Sequence, residues 1–132
     1  MASSTIEEAI RYKLVNTATV TTEVSTRIFW LEAIPNTTYP YLTYFTVDDP
    51  HDAWTLDKLD AGQVRIQVNV YDDNRFEALR ISNVVREALD RYQGTVDSKV
   101  IERITCSGTI MVKEADNRIF NATFDAMVHY YD

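Results

Sequence analysis

The densest group of residues that could do chemistry lies in one acidic stretch. His51 stands between Asp49 and Asp52, with Asp48 just upstream. An imidazole beside carboxylates can hold a divalent cation and activate a water for hydrolysis. The same stretch also reads as a solvated acidic loop, since three ligands on a flexible segment form no pre-organised site, and charged residues ordinarily stay outside. The other chemical groups are isolated. Cys106, the only cysteine, sits in Ile104-Thr105-Cys106-Ser107 with no cationic run or helix start nearby to depress its pKa, so it reads as a small core residue. His129 adjoins Tyr130 and Tyr131 near the end of the chain and reads as a surface or partly packed imidazole. Asp72-Asp73 resembles a carboxylate pair, but at a strand-to-helix junction it reads as helix capping. Glycines at 62, 94 and 108 cannot make a phosphate loop, and one Cys with two His makes no closed zinc site. No catalytic residue, metal or cofactor is expected.

Trp54, Leu56 and Leu59 give this acidic stretch a second meaning. Apolar side chains on a segment lacking periodicity are either tucked onto the domain or reserved for a partner. With Asp48 and Asp49 they form the candidate partner-binding set, on a loop spanning about 48–62 that is expected to be mobile.

The elements that would carry these residues follow from periodicity. Ser4-Thr5-Ile6-Glu7 has capping-box spacing, and Ile6, Ala9, Ile10 and Leu14 recur at helical intervals, which predicts a helix over 4–16. Thr17 to Val24 is β-branched and polar and reads as a connector or frayed strand. Arg27–Ile34 and the residues after Pro40 (Tyr41, Tyr44, Phe45, Val47) predict two strands. From Gln63 to Tyr71, Val64, Ile66, Val68 and Val70 alternate strictly with polar residues, so one face meets a core and the other meets water or a neighbour. Phe76, Leu79, Ile81, Val84, Val85, Ala88, Leu89 and Tyr92 then predict a long helix, capped by Asp72, Asp73 or Asn74 and stopped at Gly94. Val100–Val112, with Gly108 as a bulge or kink, and Arg118–Tyr131 predict a closing hairpin.

The order α-β-β-β-α-β-β predicts an α+β two-layer fold, a mainly antiparallel sheet packed against one long helix and a short N-terminal helix. The length, 132 residues, suits a single domain over 1–132, with 45% apolar and 25% charged residues. The opening residues have no cationic or apolar segment of the signal-peptide kind, and no stretch approaches a membrane span. A net charge of −7 opposes general binding to nucleic acid or anionic membranes.

Together the short first helix, Arg27-Ile28-Phe29, Pro40-Tyr41-Leu42, Val64-Arg65-Ile66-Gln67-Val68-Asn69-Val70, the helix from Phe76 to Leu89, and Phe120 to Val128 resemble the tail-completion, or tail-terminator, proteins of long-tailed bacteriophages. The acidic stretch from Asp48 to Asp60 departs from that pattern. The resemblance implies a virion protein made in the host bacterial cytoplasm. It implies a homo-oligomeric ring, usually a hexamer, that caps the tail tube, contacts the major tail tube protein and joins a head-completion or connector protein. DNA would pass through the lumen without specific binding. The alternatives are another neck or minor tail component, such as a head-completion protein, and a small metal-assisted hydrolase using His51.

Overall fold

The computed structural model describes residues 5–31, 33, 37–48, 61–96, 99–113 and 119–131. Three helices, α1 (Ile6–Val15), α2 (Ala18–Val24) and α3 (Arg75–Leu89), pack on a mixed sheet. Its strands are β1 (Ile28–Trp30), β2 (Tyr41–Asp48), β3 (Ala61–Asp72), β4 (Gly94–Val96), β5 (Lys99–Cys106), β6 (Ile110–Lys113) and β7 (Phe120–Tyr131). The sheet order is β1-β2-β3-β7-β5-β4, and β6 also pairs with β7. Every pairing is antiparallel except β1 with β2, so the expected α+β architecture is the one observed.

The centre is the long pairing of β3 with β7, in register from Ala61–Tyr131 to Asp72–Phe120. Alternation along both strands sends Val64, Ile66, Val68 and Val70, with Ala122, Phe124, Ala126 and Val128, to the helix side, where all are buried. Helix α3 meets them with Ala78, Ile81, Ser82, Val85 and Leu89, a buried stripe at helical spacing. Each fully buried Val, Leu or Ile there contributes about 1.5–3 kcal/mol relative to an exposed one. Val85, and not the half-buried Val84, is the residue that enters this contact.

Several local expectations shift for identifiable reasons. The capping box of α1 sits one residue later than Ser4-Glu7: the Glu8 amide donates to Thr5 Oγ1 at 3.2 Å, and the Thr5 amide donates to Glu8 Oε1 at 3.4 Å. Glu7 is occupied elsewhere, its carboxylate accepting from Thr46 Oγ1 at 2.8 Å and its carbonyl from the Tyr44 hydroxyl at 3.1 Å. Thr17 to Val24, expected as a connector or frayed strand, instead holds α2 with Thr17 at its N-cap position. Val20 and Val24 are buried, and the hydroxyls of Thr17 and Thr22 donate to carbonyls four residues back at 2.6 and 2.8 Å. Burial and these local bonds override the β-branched bias. Arg27–Ile34 shortens to β1, because Leu31 turns at φ 70°.

The long helix ends at Leu89, earlier than Gly94. Asp90 leaves helical geometry, Arg91 adopts φ 64°, and Gly94 instead begins β4, a strand absent from the sequence expectation. The predicted strand over 100–112 breaks at residues 107–109, around Gly108, into β5 and β6. A bulge in β5 between Ile101 and Arg103 lets Ile101 and Ile104, three residues apart, both enter the core.

Candidate functional site

The sheet face away from the helices is built by the alternate residues of β2, β3 and β7. One row across it reads Tyr41, Tyr71, Asn121, and the next reads Thr43, Asn69, Thr123. Tyr39 stacks on Tyr41, whose ring stacks on Tyr71 with centroids 5.0 Å apart, and Phe29 meets Tyr41 edge-on at 6.3 Å. Beside this stack, Asn69 Oδ1 accepts from Gln67 Nε2 at 3.0 Å and from Asn121 Nδ2 at 3.3 Å. Thr43, Asn69 and Asn121 are buried although they lie on the face opposite the described helices. The polar alternation on β3 thus builds a bonded side-chain ladder on this face. Asn121 is held inside it.

Two edges border this face. Among the described residues, β1 lies at one, with a strand only on the β2 side, and β6 lies at the other, joined only to β7. Apolar side chains gather at both. Trp30 is 40% exposed and Leu31 59% at the first edge; Ile110 is 64% exposed and Met111 38% at the second. Thr109 links β6 to α3: its hydroxyl donates to Asn83 Oδ1 and lies 3.4 Å from the Ser82 hydroxyl. Phe76, 69% exposed, and Leu79 share the helical flank of Asn83 at spacings of three, four and seven. These two residues lie off the buried stripe of α3, so they are surface residues and not core as expected.

The groups singled out for chemistry are placed as follows. The Cys106 thiol is pushed up to about 12, chiefly by burial and then by the nearby Asp90 carboxylate, so at neutral pH it is a protonated, half-buried side chain packed against the core. His129 is half-buried on β7 opposite Gln63 and Arg103. Asp72 does not cap α3: its Oδ1 accepts from the Asp73 amide at 2.7 Å, and burial raises its pKa. The cap is Asn74, whose Oδ1 accepts from the amides of Phe76 and Glu77 at 2.9 and 3.2 Å. Asp49, His51, Asp52, Trp54, Leu56 and Leu59 lie outside the described residues, and of Asp48 only the backbone, on β2, is described. Among the described residues no three His, Cys, Asp or Glu gather as metal ligands, and no helix is long and apolar enough to cross a membrane.

Sequence reading overlooked the edge residues Trp30, Leu31, Ile110 and Met111. The signal for the last two was the apolar run following Gly108, absorbed into a single long strand. For Phe76 and Leu79 it was the helical wheel, which sets Phe76 about 160° away from Ala78.

Fold and surface together define a sheet-and-helix module with exposed apolar side chains at two edges of its sheet and on its helices. The chain matches the family model "Tail completion protein gp17" over residues 8–131 and belongs to that family of phage tail proteins. Its fold is similar to a chain in the solved structure titled "Virion of native gene transfer agent (GTA) particle". The TM-score is 0.74 at 10% identity, covering 96% of this chain and 95% of that one. No curated protein matches it in sequence. Membership places the chain in the phage particle, as a structural component of the tail.

Proposed function

We propose that the chain is a tail terminator: copies close into a ring, expected to be a hexamer, which caps the finished tail tube and receives the head connector. Family membership over residues 8–131 carries this reading. Its partners are further copies of itself, the major tail tube protein and a head-completion or connector protein. No catalytic step, metal or cofactor is assigned to it. The net charge of −7 suits a ring through which DNA slides without being held. Trp54, Leu56 and Leu59, with Asp48 and Asp49, are the proposed contact segment for the tube or a neighbouring copy. Trp54→Ala is expected to weaken assembly by about 2 kcal/mol, as for a buried interface aromatic, with subunit stability nearly unchanged.

The test is to incubate purified protein with isolated tail tubes and image them by negative stain. Ring-shaped density at one tube end is the expected result. Binding to tail-less heads, with bare tube ends, would favour a head-completion role instead.

A further inference from the structure

Strand directions and cross-strand rows put the two sheet edges into a specific relation. β1 runs parallel to β2, β2 antiparallel to β3, β3 to β7, and β7 to β6, so β1 and β6 run in opposite directions. They also stand at the same level. Ile28, Leu42, Val70, Ala122 and Met111 form one row across the sheet, and Phe29, Thr43, Asn69, Thr123 and Ile110 form the next. A second copy, rotated to offset the twist that accumulates across the sheet, can therefore set its β1 antiparallel to β6 and at matching height.

We infer that copies of this chain join head to tail through these edges, with β6 of one copy (Ile110, Met111) packing on β1 of the next (Phe29, Trp30, Leu31). The inference rests on the self-assembly reading above and names the surfaces that carry it. Each edge leaves two large apolar side chains exposed next to each other, Trp30 and Leu31 on one and Ile110 and Met111 on the other. The patches differ in composition and lie on opposite edges, so the contact is heterologous, the kind that closes into rings when the rotation between copies permits.

Backbone chemistry limits how the strands meet. The Leu31 amide donates to the Tyr44 carbonyl, and the Arg27 carbonyl accepts from the Leu42 amide, so the odd-numbered residues of β1 face β2. The groups of Ile28 and Trp30 point outward, and Arg11 Nε already donates to the Ile28 carbonyl at 3.3 Å. Trp30 supplies the backbone pairing, and apolar packing supplies most of the contact.

A mixing experiment distinguishes this arrangement from others. Ile110→Asp changes an exposed side chain, and Leu31→Asp replaces Leu at a positive φ that Asp tolerates better, so both variants should fold. Sedimentation of the full-length chain across a concentration series should show each variant losing self-association by roughly thirtyfold or more. An equimolar mixture should recover a dimer and nothing larger, because each variant retains the edge the other lacks. Self-association as strong as wild type in both variants would overturn the edge contact while leaving the ring intact. Loss with Ile110→Asp alone, unrescued by mixing, would show a symmetric β6 contact instead. A wild-type chain that stays monomeric up to about 1 mM would overturn the self-assembly reading itself.

Discussion

Phe29 and Ile110 stand at opposite ends of one cross-strand row, separated by Thr43, Asn69 and Thr123 and borne on strands of opposite direction. That relation makes the two sheet edges complementary surfaces. The interior of the sheet and its helix cover hold this geometry, and their stability can be probed separately from assembly.

Val68 is buried where β3 faces α3. Val68→Asp places an unpaired carboxylate in that apolar contact, so the chain is expected to be insoluble or to lose its cooperative melt. Circular dichroism melts of any soluble fraction check this. An unchanged midpoint would show that Val68 is not in the core.

Asn74, and neither aspartate before it, caps α3. Asn74→Ala should cost about 1 kcal/mol in denaturant unfolding, whereas Asp73→Ala, at an exposed position, should cost much less. Equal losses in the two variants would contradict the assignment.

Asp72 is a carboxyl whose folded-state pKa is raised, by burial first and by Asp73 second. Its protonated form is the one the fold favours. The associated stability is present below the ordinary value of 3.8 and is lost as pH rises through the raised folded value. Asp72→Asn keeps the side-chain oxygen that accepts from the Asp73 amide. It should raise the melting temperature at pH 7 and lose that advantage toward pH 3. A variant less stable than wild type at pH 7 would show that the charged form is the one stabilised.

Arg80 bridges α2 and α3. It bonds both carboxylate oxygens of Glu23, at 3.1 and 2.7 Å, and also Glu77 at 2.6 Å. These contacts hold the Glu77 carboxyl below its usual range. Arg80→Ala should lower the melting temperature in dilute buffer, and the difference should shrink in about 1 M salt, where screening acts within a few ångströms. A loss independent of salt would point to packing of the Arg80 stem instead.

Where one face of an element is apolar and regular, its place in the fold was legible in the sequence. β3 and the 81–85–89 stripe of α3 are such cases, and so is the pairing partner β7. Elements decided by tertiary burial were not legible. α2 is helical because Val20 and Val24 are buried and its threonines bond backward, neither of which local propensity registers. The bulge that turns both Ile101 and Ile104 inward breaks strict alternation. The edge surface was hidden for a related reason: Ile110 and Met111 have the composition of a core strand, and only the sheet order shows that nothing lies beyond them among the described residues. The polar face of β3 is not simply a surface for water or a neighbour, because its middle residue Asn69 is buried in a side-chain ladder.

The central claim, that this tail-completion protein terminates the tail and joins it to the head, is tested most directly by tail lengths and head attachment in particles assembled without it. Electron micrographs should show tails of abnormal length or tails unjoined to heads, with both defects reversed when the wild-type chain is supplied. Tails of normal, uniform length carrying attached heads in its absence would contradict the account.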